Sequence, residues 1–424
     1  MPAFLRALNS RNYRLYFVGQ LISLAGTWMQ QIAMAWLAYR LSNSAFVLGS
    51  VGFASQIPIL FFSAFAGVWS DRVDRRRLLL LSQSLSMVQA LVLAVLAWLE
   101  WITPGLLIFM ALCLGCINAL DVPARQAIAV QLVDDKEDLP NAIALNSFLM
   151  NAARFVGPAL AGYLVVLMGE AVCFLLNALS YLAVLLALSA IRLPAQGPSR
   201  PAPALDALKE GIRYVRGHGP IRRSLLLVSC ISFLATPYAV MMPLFAREIF
   251  GGDAGTFGLL MGCAGAGSLV ASFFLASRRD TGGLEGKVAL AAPAVGAALT
   301  CFALSPSQQV AYPIIMSIGF CVIITIAGSN TLIQTRVNNA YRGRVMAIFS
   351  MAFLGIAPLG SFIVGSVAHQ VGIRPTLAAC GLLTLAAGLV YRRLTRAVSA
   401  QEPVEQAAAE HQMDKEGGAQ QQRP

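Results

Sequence analysis

Residues 67–76 read Gly-Val-Trp-Ser-Asp-Arg-Val-Asp-Arg-Arg, a short charged segment between two long uncharged ones. Residues 41–70 contain no Asp, Glu, Lys or Arg, and neither do residues 78–99. About 20 apolar helical residues are enough to cross the ~30 Å hydrocarbon core of a bilayer. The charged segment therefore predicts a loop that joins two membrane-spanning helices.

The whole chain has the composition of a membrane protein. Of its 424 residues, 57% are hydrophobic and 12% are charged, whereas about 25% of residues in soluble domains are charged. This composition excludes a water-soluble globular protein. The net charge of +11 would indicate nucleic acid binding only if the basic residues shared one face. They lie instead in short clusters between uncharged runs, so we expect contact with membrane lipid and no nucleic acid partner.

Uncharged runs of spanning length recur along the chain. The run at 139–169 is interrupted only by Arg154, and the run at 288–335 has 48 residues, enough for two crossings joined at Ser305, Pro306 and Ser307. The sequence therefore predicts an all-α integral membrane fold with twelve spans. In chain order, spans 1 to 12 are expected at 15–39, 41–70, 78–99, 101–120, 139–169, 171–191, 224–246, 254–277, two within 288–335, 345–373 and 375–391.

The Lys and Arg residues indicate the orientation of these spans, because positive charge near helix ends resists translocation. With both termini in the cytoplasm, 27 of the 31 Lys and Arg residues lie in cytoplasmic segments. The exceptions are Arg154, within a span, and the outer-loop residues Arg40, Arg247 and Arg374. The sequence therefore predicts a multi-pass protein with both termini cytoplasmic.

A change in composition after span 6 divides the chain. Five Pro and Gly residues fall between residues 194 and 203, and they predict a break in regular structure. The helical pattern after Leu205 favours either an interfacial helix on anionic lipid or a solvated linker helix. We expect four segments, namely an N-terminal six-helix half at 1–191, a cytoplasmic linker at 192–220, a C-terminal six-helix half at 221–393 and a disordered cytoplasmic tail at 394–424.

The two halves show a faint internal repeat at an offset of 203 residues, which makes span 5 correspond to span 11. Repeats of this kind build transporters in which two halves rock about a site near the middle of the membrane. The repeated residues are Gln131, Ala144, Ser147, Gly157, Gly162 and Gly169, which recur as Gln334, Ala347, Ser350, Gly360, Gly365 and Gly372.

The loop at 67–76 resembles the GxxxDRxGRR loop of the major facilitator superfamily, although Asp74 stands where the family has its second glycine. Gly67 permits close helix approach, Asp71 can accept hydrogen bonds from a helix N-terminus, and the arginines can pair with acids or lipid phosphates. The resemblance implies a conformational switch, closed in the outward-facing state, between this loop and span 4. Its residues are Gly67, Asp71, Arg72, Arg75, Arg76 and Asp121.

Asp121 also has a simpler interpretation. A carboxylate within a span is expensive enough to indicate a function, and the resemblance implies a bridge from Asp121 to Asp71 and Arg75. The alternative is a local pair between Asp121 and Arg125, one helical turn away.

Residues 154–162 resemble the GxxxGPxxGG signature that is associated with antiporters of the same superfamily, with Ala153 and Ala161 where Gly is usual. Small residues four apart make a flat face for helix packing, and a proline allows a bend. The resemblance implies export. Arg154 could hold an anionic substrate or a proton-coupled acid, or it could reach cytoplasmic water. The matching residues are Arg154, Gly157, Pro158 and Gly162.

Span 1 has a polar stripe that must face a cavity or a neighbouring helix and not lipid. For each residue of the stripe, interhelical hydrogen bonding is the alternative to lining a substrate cavity. The predicted lining comprises Gln20, Ser23, Thr27, Gln30 and Gln31 of span 1, Asn146 and Asn151 of span 5, and Asn330 of span 10.

Within the superfamily, residues 4 to 393 resemble the drug and siderophore exporters, a branch that includes macrolide efflux pumps and the enterobactin exporter. The resemblance implies a bacterial inner-membrane exporter of a siderophore or an amphipathic drug, which works by alternating access and proton antiport. We expect a monomer that is not an enzyme, with no cofactor and no metal site. The alternatives are a nutrient importer and a receptor or assembly factor that has kept the fold without transporting.

Overall fold

The computed structural model describes residues 3–70, 74–129, 132, 133, 135–191, 204–278 and 282–420, and this part of the chain is helical throughout, without strands. The N-terminal half has a short 3₁₀ helix at Ala3–Asn9 and another at Lys136–Asp138. Its six spans are Arg11–Ser42, Ala45–Ser70, Arg75–Trp98, Pro104–Ala129, Leu139–Met168 and Glu170–Ala190. A linker helix follows at Ala204–Gly217.

The C-terminal half has the other six spans, and it includes the division of 288–335 into two crossings that the sequence predicted. Spans 7 to 12 are Gly219–Ile249, Ala254–Ala276, Leu284–Ala303, Gln308–Arg336, Arg342–Val371 and the helix that begins at Ile373. The last helix is described as far as Gln420. Its side chains after Arg396 lie outside the described residues, so the disordered tail stays a prediction.

Eleven helices in the described part of the chain are long and apolar enough to cross a membrane. Span 1 is the twelfth, because its 32 residues are long enough although its polar stripe lowers its hydropathy. Its backbone packs closely on span 6, where a methyl carbon at Gly19 would come 3.1 Å from the Cα of Val184. The predicted fold of twelve spans in two six-helix halves is confirmed.

Spans 7 and 11 are not continuous α-helices, which the sequence analysis did not predict. Span 7 contains π turns at Ile231–Ala235 and Phe245–Ile249, and span 11 contains one at Met351–Gly355. Pro237 stands two residues after the first π turn of span 7, and Pro358 stands three residues after the π turn of span 11. A proline cannot donate to the carbonyl four residues earlier and crowds it, so the hydrogen-bond ladder widens there.

The two halves meet at a pair of symmetric contacts that we call the glycine seam, formed by Gly162 with Gly258 and by Gly365 with Gly49. A methyl carbon at Gly162 would come 2.7 Å from Ala254 O and 2.9 Å from the Cα of Gly258. A methyl carbon at Gly365 would come 2.7 Å from Ala45 O and 2.9 Å from the Cα of Gly49. Only glycine permits such close backbone contact.

The glycine seam follows the internal repeat. Gly162 and Gly365 are related by the offset of 203, and Gly49 and Gly258 by an offset of 209. Both contacts lie one to two helical turns from one end of the bundle, which we call the Glu170 end. The opposite end, where span 3 begins, is the Arg76 end. The halves therefore touch at backbone level near the Glu170 end.

Candidate functional site

The structure places Arg154 in the middle of the bundle. It is the sixteenth of the 30 residues of span 5, which begins at Leu139. At a rise of 1.5 Å per residue, Arg154 lies about 22 Å from the start of the helix. An arginine side chain is much shorter than this distance, so Arg154 does not reach past the end of its own helix.

Arg154 lies where spans from both halves converge. Its guanidinium carbon is 5.0 Å from the ring centroid of Trp28 on span 1, and it interacts electrostatically with Tyr238 on span 7. Span 8 contacts its backbone, because a methyl carbon at Gly265 would come 2.6 Å from Arg154 O. The guanidinium therefore lies beside the interface at which the two halves move in a rocking transporter.

Gly157 holds Trp28 next to Arg154. It lies one turn beyond Arg154 on span 5, and a methyl carbon there would come 2.5 Å from the Cβ of Trp28. The small-residue face that the sequence predicted on span 5 thus packs on span 1, while Gly162 packs on span 8.

The face of span 5 that includes Arg154 changes from exposed to buried along the helix. Toward the Arg76 end its residues are exposed or half-buried, and toward the Glu170 end they are buried. Arg154 therefore lies at the boundary between open space and packed protein. The outer residues are Ile143, Ser147, Met150 and Asn151, and the buried ones are Pro158, Ala161 and Val165.

Asp121 binds spans 3 and 4 together near the Arg76 end. Its side chain is 1% exposed, and its Oδ1 accepts hydrogen bonds from Ser82 Oγ at 2.8 Å and Gln83 Nε2 at 2.7 Å. Its Oδ2 accepts from Arg125 Nε at 2.9 Å. The i, i+4 pair that the sequence offered as an alternative is therefore present.

The predicted switch lies mostly outside the described residues. Asp71 and Arg72 are not among them, the side chain of Arg75 is not described, and Gly67 is described only as helical backbone. A bridge from that loop to Asp121 therefore stays a prediction.

Arg76 and Asp74 fix the start of span 3. Arg76 donates to the carbonyls of Leu188 and Ser189, both at 2.7 Å, and so caps the end of span 6. Asp74 accepts a hydrogen bond from the backbone N–H of Arg76 at 2.9 Å, as an N-cap does. In the sequence, Asp74 stands out only as a departure from the family pattern. An Asp immediately before a helix start could have identified this role.

The polar stripe of span 1 forms interhelical hydrogen bonds around Gln30. Gln30 donates to Gln89 Oε1 of span 3 at 2.9 Å and accepts from Asn177 Nδ2 of span 6 at 2.7 Å. Thr27 donates to the carbonyl of Ser23 and contacts the Tyr181 hydroxyl. Gln20 and Ser23 are also buried, whereas Gln31 is exposed. Most of the stripe thus faces neighbouring helices.

The three predicted asparagines have different surroundings. Asn151 donates to the carbonyl of Ser147 on the same face as Arg154. Asn330 accepts from Gln334 within span 10, and Asn146 is half-buried. Of these three, only Asn151 shares the face of Arg154. Sequence reasoning missed Trp28 and Tyr238, which had no signal beyond being aromatic.

Comparison with known proteins identifies relatives of the whole chain and a solved structure with the same fold. The staphyloferrin A transporter of Staphylococcus aureus is 28% identical over 389 residues, covering 90% of this chain and 96% of the relative. The multidrug efflux pump Tap of Mycolicibacterium fortuitum is 24% identical over 383 residues, covering 88% and 93%. The solved structure of an inward-facing, unoccupied bacterial homologue of the human lysosomal transporter Spinster matches the fold with a TM-score of 0.71 and 14% identity, over 93% of this chain and 98% of that chain.

A family model described as transmembrane secretion effector matches residues 4–419. The match covers nearly the whole chain, and the resemblance to the major facilitator superfamily is confirmed by it. The relatives are transporters of small molecules. The chain therefore belongs to the transmembrane secretion effector family.

Proposed function

We propose that this exporter moves small organic molecules out of the cytoplasm by alternating access and is driven by proton entry. The observation that best supports alternating access is the glycine seam, which closes the Glu170 end while span 5 is open toward the Arg76 end. A path open at one end, between two repeat-related halves, is what the mechanism requires. Substrate enters from the Arg76 end and leaves when the seam parts.

The substrate class follows from the relatives. One is a staphyloferrin A transporter and another is a multidrug efflux pump. We therefore assign either a siderophore or an amphipathic drug to this chain.

We place the Arg76 end and both termini in the cytoplasm of a bacterial inner membrane. The basic clusters at that end resist translocation and face anionic lipid headgroups. The division into halves at 191 and 221 follows the linker composition. Because one chain supplies both halves, a monomer is sufficient for alternating access.

Asp121 is the proposed proton carrier. Protonation removes the charge that pairs with Arg125 and weakens the contact between spans 3 and 4. Two acids at the Glu170 end have structural partners instead. Glu170 accepts from Arg40 at 2.8 Å, and Asp253 caps span 8 by accepting from Thr256 N at 3.0 Å.

Inverted membrane vesicles test this proposal, because export in the cell becomes uptake into the vesicle. We expect uptake of an amphipathic probe, tested as the cation ethidium and as the anion 2-naphthalenesulfonate, that stops on addition of a protonophore and in Asp121→Asn, but not in the exposed control Glu100→Gln. Uptake unchanged by the protonophore would contradict proton coupling. Transport only in right-side-out vesicles would indicate an importer, and no transport in either orientation would favour a receptor or assembly factor.

A further inference from the structure

Arg154 is a cation in the membrane interior, and no acid in the described part of the chain neutralises it. Among the described residues it forms no ion pair, whereas Arg125 pairs with Asp121 and Arg40 pairs with Glu170. A charged side chain at this depth is costly and indicates a functional site.

In the part of the chain that the structure describes, no counter-charge lies within reach of Arg154. Spans 1, 5 and 8 contain no Asp or Glu, and span 7 contains only Glu248. Glu248 stands ten residues beyond Tyr238, which is about 15 Å along a helix. Among the described residues the charge of Arg154 is therefore uncompensated.

The groups around Arg154 suit an organic anion with an apolar body. Trp28 lies against the guanidinium of Arg154. The guanidinium N–H groups remain free to donate to an anion that lies in the guanidinium plane. Tyr238 supplies a hydroxyl donor from the other half. The open stretch of span 5 with Asn151 gives access from the Arg76 end.

The site is single, because the repeat does not duplicate it. At the offset of 203 from Arg154 stands Ala357, and Gly360 stands in place of Gly157. The C-terminal half therefore contributes the Tyr238 hydroxyl and no second cation at this position.

We propose that Arg154, with Trp28 and Tyr238, binds the anionic group of an amphipathic organic anion and that such anions are the preferred substrates. This inference rests on the proposed export function. An anion that bridges Arg154 and Tyr238 contacts both halves at once, so its binding is sensitive to their relative position.

The test uses a matched pair of probes, 2-naphthalenesulfonate and the neutral 2-naphthalenesulfonamide, with the full chain in lipid nanodiscs. By titration calorimetry we expect the wild type to bind the sulfonate about tenfold more tightly than the sulfonamide, the effect of one charge-assisted hydrogen-bonded contact. Arg154→Gln should abolish this preference, and Arg154→Lys should keep part of it. The control Arg247→Gln removes an exposed cation and should keep all of it.

Equal affinity of the wild type for both probes, or an undiminished preference in Arg154→Gln, would overturn the anion site. If Arg154→Gln fails to fold, a preference in Arg154→Lys below that of the wild type supports the site, and an undiminished preference contradicts it. Vesicle transport separates this inference from the proposed function. If the vesicles transport neither probe nor ethidium but the binding pattern holds, export is wrong and the anion site stands. If they transport both probes equally in wild type and Arg154→Gln, export stands and the site is wrong.

Discussion

At the scale of single residues, Asp121 shows how one buried carboxylate joins two helices. It accepts hydrogen bonds from Ser82 and Gln83 of span 3 and pairs with Arg125 of its own span. When the carboxylate is neutralised, Arg125 loses its charge complement, and the hydrogen bonds from Ser82 and Gln83 lose their charge assistance. Neutralising Asp121 should therefore lower the stability of the protein as well as its transport activity.

We predict that Asp121→Asn lowers the free energy of unfolding by about 3 kcal/mol, the usual effect of removing one partner of a buried ion pair. Chemical unfolding followed by circular dichroism measures it. Glu100→Gln, in an exposed turn, should match the wild type. An Asp121→Asn protein as stable as the wild type would show that Arg125 finds another partner.

The candidate site could be predicted only in part from the sequence. Arg154 and Asp121 are evident because each is an ionisable residue in or beside an apolar run. Trp28 and Tyr238 are 126 and 84 residues away from Arg154 along the chain. Their proximity depends on how each span is rotated about its axis, and hydropathy does not fix that rotation. For the same reason, Gln30 could not be assigned to a helix contact or to a cavity.

At the scale of elements, the glycine seam requires helices without side chains at the point of contact. We predict that Gly162→Val reduces 2-naphthalenesulfonate transport about tenfold, because the added branches hold spans 5 and 8 apart and prevent full closure. Initial uptake rates in inverted vesicles measure this effect. Gly105→Val is the matched control, since nothing lies within 4 Å of a methyl carbon at Gly105. Wild-type rates in Gly162→Val would show that closure does not require this contact.

The linker helix is attached to the start of span 11. Glu210 pairs with Arg344 at 2.7 Å, and Tyr214 stacks on Tyr341 with ring centroids 4.5 Å apart. We predict that Glu210→Arg destabilises the protein by up to about 1 kcal/mol, as for an exposed ion pair. The double variant Glu210→Arg with Arg344→Glu should recover this loss in an unfolding titration. Additive effects of the two substitutions would show that the pair is not coupled.

The spans were predictable as elements because their apolar runs are long and their ends are charged. The helices extend beyond the uncharged runs, as span 1 does at Arg11, since an arginine at a helix end can reach the membrane surface. The π turns were not predictable. Pro158 leaves span 5 continuous, whereas Pro358 follows a π turn in span 11, so the surrounding packing decides the outcome.

At the scale of the whole molecule, the charge asymmetry predicts a single threading through the membrane. A tag inserted after Leu41 should be accessible only from outside the cell, and a tag after Pro194 only from the cytoplasm. Accessibility to a membrane-impermeant protease in intact cells and in inverted vesicles measures both. If the two tags are accessible from the same side, the assigned orientation is wrong.

The π turns allow helices of the C-terminal half to rotate about their axes, and the described part of the N-terminal half has no such turn. A π turn holds one residue more than an α turn, and one residue corresponds to about 100° around a helix axis. If the π turn at Ile231–Ala235 tightened to α geometry, the helix after it would swivel by about that angle. Tyr238 would then point away from Arg154, and the bound molecule would lose one of its two anchors without any movement of span 5.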